Sequence, residues 1–155
     1  MKLVVALRRT MLSPLTFLSV ASYALLATNA AAGVLTCSFT EPFFTIAFDS
    51  ATGVVTFASP DEMEPDTGKI VPKVIAEGAK LTRADEWVDY PTLTLDGKDG
   101  KRILEVRMTG LGSDGMSEFV FPMEGTYGTN VGGCEATKAP AYDLFELYED
   151  LGIER

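Results

Sequence analysis

The sequence predicts a mainly β domain, a small antiparallel barrel or sandwich with one C-terminal amphipathic helix. Three observations predict it. Apolar and polar residues alternate at a period of two through short segments. Glycine, proline and aspartate recur between those segments as turn formers. Helical spacing of apolar residues occurs only after Cys134.

Residues 1–32 read as a secretory signal peptide. Lys2, Arg8 and Arg9 give a basic start, Met11 to Ala27 is apolar and uncharged, and Ala30-Ala31-Ala32 offers small residues for cleavage. The run is short for a membrane span and contains Pro14. Cleavage after Ala32 fits best. Thr36 before Cys37 is a poor substitute for the small residue that lipidation of that cysteine requires. The expected location is therefore periplasmic or secreted, with no membrane segment in the mature chain.

Residues 33–138 form the expected β domain. Phe44, Ile46 and Phe48 alternate with Thr45, Ala47 and Asp49, and Thr52-Gly53 turns the chain into Val54-Val55-Thr56-Phe57, a hairpin. Ser59 to Gly68 is polar and reads as a loop. Lys69 to Ile75 alternates but contains Pro72, which suggests an edge or a short strand. Trp87 to Leu95 predicts a strand interrupted by Pro91. Asp96 to Gly100 is turn chemistry, and Arg102 to Thr109 is a clear alternating strand. Gly110 to Gly115 is a glycine-rich loop, and Phe119 to Met123 predicts a further strand. In residues 139–155, Leu144, Leu147, Tyr148 and Leu151 recur at helical spacing and Gly152 marks the stop.

In an oxidising compartment the two cysteines, Cys37 and Cys134, are expected to pair with each other and close the domain. Cys-x-x-Cys spacing, the usual redox arrangement, is absent.

Charge and composition limit the chemistry. The chain carries 13 Lys+Arg against 22 Asp+Glu, a net charge of −9, and loss of the leader's three cations takes it to −12. Such a domain repels nucleic acid and attracts basic proteins. The absence of histidine removes the usual Ser-His and Cys-His nucleophile pairs and most zinc and copper sites. No catalytic residue, metal site or cofactor is expected. Asp66-Thr67-Gly68 matches an aspartic-protease triplet but lies in a loop rather than after a buried strand. Gly110 to Gly115 fits G-x-G-x-x-G, yet a strand-like segment follows it where a dinucleotide site needs a helix. Asp96 to Lys101 lacks the alternating oxygen ligands of a calcium loop. Glu41, Asp61, Glu62 and Glu64 leave one enzymatic alternative, a small carboxylate-dependent hydrolase of envelope glycans.

Cys37-Ser38-Phe39-Thr40-Glu41-Pro42-Phe43-Phe44 resembles the Cys-x-Gly-Thr-Glu-Pro-Phe-Trp signature of an uncharacterised family of small exported Gram-negative envelope proteins. Ser113-Asp114-Gly115-Met116-Ser117-Glu118 and Gly133-Cys134 resemble that family's later segments, in the same order. Phe39 stands where the signature has glycine, and Phe44 where it has tryptophan. The resemblance implies no activity. It directs attention to Glu41, Pro42, Phe43, Phe44, Ser113, Asp114, Met116 and Ser117 as a binding surface. The build is also similar to that of periplasmic inhibitors of c-type lysozyme, which insert a loop into a basic enzyme's cleft. The expected function is an exported, non-enzymatic binding or inhibitor-type domain, with a basic envelope or host protein such as a c-type lysozyme as partner. A purely structural envelope role is the other alternative.

Overall fold

A computed structural model describes residues 33–84, 89–137, 147–149 and 151–153. The leader, Trp87 and the start of the expected C-terminal helix, including Leu144, lie outside the described residues.

Nine strands form a single antiparallel sheet: β1 (Val34–Thr40), β2 (Phe43–Asp49), β3 (Val54–Ala58), β4 (Lys73–Ala76), β5 (Lys80–Arg83), β6 (Thr92–Asp96), β7 (Arg102–Arg107), β8 (Met123–Tyr127) and β9 (Asn130–Ala136). Their order in space is β4-β3-β2-β1-β9-β8-β7-β6-β5. The sheet curls into a half-barrel, the open form of the expected barrel, with β4 and β5 as its unjoined edges. The described residues beyond the sheet include a short helical stretch at 147–149.

Period-two alternation decides which face turns inward. Leu35, Cys37 and Phe39 of β1 face Phe48, Ile46 and Phe44 of β2 across the ladder. Leu93 and Leu95 of β6 face Val106 and Leu104 of β7 in the same way. These side chains line one buried cluster on the inner face. The hairpin after β2 turns as its sequence demands. Asp49 Oδ1 accepts from the Ala51 and Thr52 amides, and Gly53 takes φ 68°. Asp96 to Lys101 is likewise a turn, closed by Gly97 N–H donating to Lys101 O and Lys101 N–H donating to Asp99 Oδ1.

Cys37 and Cys134 form a disulfide between directly opposed residues of β1 and β9, 97 residues apart in the chain. It joins the end of the β1–β4 half to the β5–β9 half at the centre of the sheet.

Three expected strands begin later than the sequence suggests, and one strand was not foreseen. Lys69 to Ile75 is a strand only from Lys73, because Pro72 has no N–H to give the ladder; Ile70 instead makes an isolated bridge to Met63. Of the expected strand running to Leu95, residues 92–96 are ordered as β6, with Tyr90 and Pro91 before it as a bend and a connector. The strand expected at Phe119 to Met123 reduces to a bridge between Gly112 and Phe121, and β8 begins only at Met123. Lys80–Arg83 pairs with β6 although its four residues include one apolar side chain, too few for alternation to be visible.

The C-terminal turn covers the inner face. Leu147, Tyr148, Leu151 and Ile153 all join the core cluster. Gly152 adopts φ 66°, Ile153 N–H donates to Tyr148 O and Gly152 N–H to Glu149 O, the paired bonds of a Schellman stop. Gly152→Ala puts a Cβ in a left-handed conformation and is expected to lower the unfolding free energy by about 1 kcal/mol, read from a urea titration.

Candidate functional site

Between β7 and β8 the chain leaves the ladder and crosses the outer face of the sheet as a strap. Its two arms are tied by reciprocal bonds, Gly112 N–H to Phe121 O and Phe121 N–H to Gly112 O, with Gly110 N–H donating to Pro122 O. Gly112 has no alternative here. A Cβ would overlap the carbonyl of Met123.

Phe121 anchors the strap. Its ring lies over Gly133, on the side of β9 opposite the core, where a Cβ would collide with the ring. The ring is buried yet separate from the inner cluster, and Phe119 meets it edge-on at 4.8 Å. The glycine of Gly133-Cys134 is thus a seat for an aromatic ring.

The tip of the strap is the Ser113–Ser117 turn. Asp114 Oδ1 accepts from the Met116 amide at 3.0 Å and the Ser117 amide at 2.8 Å, and Asp114 Oδ2 accepts from Ser117 Oγ at 2.9 Å. Ser113 Oγ accepts from the Gly115 amide. Gly115 takes φ 85°. The three polar side chains are therefore spent within the turn. The Met116 and Ser117 amides, with Ser117 Oγ, hold the Asp114 carboxyl below the usual carboxylate range. A carboxyl lowered in the folded state favours the ordered turn above its unfolded pKa. That preference is lost as pH falls from about 4 through the folded value. Protection of the Met116 and Ser117 amides, taken relative to the intrinsic exchange rate at each pH, is expected to fall over that acid window, and Asp114→Ala to remove the transition, both read by NMR.

The tip is fastened to β1. Thr40 Oγ1 donates to the Asp114 carbonyl. Thr40 ends β1, and the turn to β2 follows at once through Glu41 and Pro42, whose peptide is cis. The structure thus brings together the Glu41–Phe43 turn and the Ser113–Ser117 turn, which are distant in sequence. Glu41, Pro42, Phe43 and Met116 face solvent there. Phe44 does not share their surface. It is buried inside, stacked 4.4 Å from Phe39 and 5.2 Å from Phe57, with Tyr127 edge-on.

Thr40, Phe119 and Val131 belong to this region and were not among the residues expected to form its surface. Thr40 stands in the signature segment, but its bond to the strap is not visible there. Phe119 sits in an apolar run that reads as a strand. Val131 is 57% exposed on the outer side of β9, and its place depends on pairing.

The remaining motifs resolve into turns. Glu64 O accepts from the Gly68 amide and Glu64 Oε2 from Thr67 Oγ1, so Asp66-Thr67-Gly68 closes an exposed loop. Glu62 pairs with Lys73 at 2.6 Å. The G-x-G-x-x-G segment is the first arm of the strap, with no helix after it. Among the described residues no group of three or more acidic or cysteine side chains is arranged to hold a metal ion. None of their helices is long and apolar enough to cross a membrane. A cleft of about 710 Å³ lies at another end of the sheet, between Ile75, Lys98, Arg102 and Tyr127; it contains no residue of the site above.

No protein-family model, curated protein or solved structure matches this chain.

Proposed function

We propose that the protein is an exported, non-enzymatic binding domain of the periplasm or cell exterior. Its contact surface is the Glu41–Phe43 turn together with the strap tip at Ser113–Ser117. The observation that carries this reading is the Thr40–Asp114 bond. It locks two turns into one surface, while the internal bonds of the strap leave Phe43 and Met116 turned outward, 52% and 71% exposed. Large apolar groups held rigidly at the surface lose little freedom on binding. The test is capture of an envelope-extract partner, or of added c-type lysozyme, by wild type and by the Phe43→Ser/Met116→Ser variant, with thermal stability measured beside it. Loss of capture at unchanged stability supports the reading. Unchanged capture rejects it.

A structural role is the second reading, favoured by the use of the Ser113, Asp114 and Ser117 side chains within the strap itself. It expects Asp114→Ala to lower stability and nothing else.

The two positions at which the chain departs from the signature are one pair. Phe39 and Phe44, the two departures, are direct cross-strand partners with stacked rings. A glycine facing a tryptophan would fill the space that the two phenylalanines share here. Phe39→Gly/Phe44→Trp is therefore expected to be more stable than the sum of its single changes, by about 1–3 kcal/mol of coupling in denaturant titrations.

A further inference from the structure

Several outer-face positions converge on Thr40. Phe43 is its partner on β2. On the other side, β1 pairs with β9 through Ser38↔Gly133. Val131 lies two residues further along β9, on the same outer side as Gly133. The strap tip, carrying Met116, is bonded to Thr40 itself, and Phe119 follows on the same strap, against the ring of Phe121 over β9. Phe43, Met116, Phe119 and Val131 are each more than half exposed. Scattered exposed apolar side chains mean little, but four gathered around one residue make a patch of the kind that marks a contact site.

The segments that build the patch carry carboxylates and no cation. The segments that build it come from two stretches of chain, between Arg9 and Lys69 and between Arg107 and Lys138, that contain no lysine or arginine. They supply the exposed carboxylates Glu41, Glu118 and Glu135. Arg107, at the base of the strap, is paired with Glu124. The basic group Lys98, Lys101 and Arg102 lies at the other end of β7, roughly 17 Å away along the strand. An apolar patch with an acidic rim is complementary to a surface of opposite arrangement. It is mismatched to an anionic membrane, which would repel the rim.

We infer that this patch docks a basic protein that presents apolar side chains among lysines and arginines. The inference rests on the binding surface proposed above and specifies its partner's chemistry. The apolar centre supplies affinity, and the carboxylate rim supplies attraction at a distance and orientation.

The test uses the purified exported protein and three probes: an amphipathic lysine–leucine peptide, a lysine–glutamine peptide of equal charge, and phosphatidylcholine vesicles. Fluorescence anisotropy is expected to show the lysine–leucine peptide binding at least about tenfold more tightly than the lysine–glutamine one. Phe43→Ser/Met116→Ser is expected to remove that preference. Glu41→Gln/Glu118→Gln is expected to weaken binding and flatten its dependence on salt. Equal binding of the two peptides overturns the inference, since charge alone then accounts for it. Vesicle binding without peptide binding overturns it in favour of a membrane. Envelope-extract capture separates the two levels. Capture that is lost with Phe43→Ser/Met116→Ser but indifferent to Glu41→Gln/Glu118→Gln removes the basic partner and leaves the surface. Capture indifferent to both removes the surface as well.

Discussion

Replacing both cysteines, Cys37→Ala/Cys134→Ala, is expected to lower the unfolding free energy by about 4–5 kcal/mol, the loop-closure contribution of a bond spanning nearly 100 residues. The two residues are 97 apart, and the bond joins β1 to β9, the pair at which the two halves of the sheet's order meet. Without it the unfolded chain regains a large closed loop of freedom, while the native ladder between β1 and β9 must hold unaided. A domain this small has a stability of the same order. The variant is expected to populate the unfolded state at 37 °C, which a urea titration at several temperatures measures. Both sulfurs are fully buried, at 0% exposure. A reductant should therefore act on the wild type only when it unfolds, so that reduction rates track unfolding rates across urea concentrations. Rapid reduction in native buffer with no change in structure would contradict this account.

Gly125→Ala is expected to be comparably damaging, although it adds one methyl group. Gly125 lies on β8 with its missing side chain aimed inward, at the disulfide. A Cβ there overlaps Cys134 Sγ and comes within 3.0 Å of Cys37 Sγ. Neither sulfur can give way without moving β1 or β9. Overpacking of this kind costs about 1–3 kcal/mol where neighbours relax, and more where they are covalently fixed. The useful comparison is Gly125→Ala in the cysteine-free background. There the obstructing sulfurs are gone, the methyl group partly fills the space they vacate, and the substitution is expected to be close to neutral. A penalty of the same size in both backgrounds would show that Gly125 is needed for backbone reasons instead.

These positions show where the sequence is legible. The β1–β2–β3 and β6–β7 ladders can be read directly, because their inner positions carry large apolar side chains and period-two alternation is visible. The C-terminal stop at Gly152 is legible for a similar reason, since only glycine adopts its conformation without strain. Strands β8 and β9 are not legible as alternating segments. Their inner positions include Gly125 and Gly132, the first kept empty for the disulfide and the second for the ring of Phe39. Space filled from another strand leaves no trace in the local pattern. The candidate surface divides in the same way. Glu41, Phe43 and Met116 stand in segments that the sequence singles out. That Phe44 turns inward while Thr40 ties the two turns together follows from pleat parity and from a bond across 74 residues.

By itself the chain determined its class: mainly β, with one cross-link between its two cysteines, because alternation, turn residues and cysteine count act locally or by arithmetic. Tertiary structure alone decided that the sheet stays an open half-barrel, that glycines stand among the inner positions of its central strands β8 and β9, and that two remote turns share one outer surface. Those outcomes depend on which strands become neighbours, and neighbours are chosen by how the whole chain fills its interior.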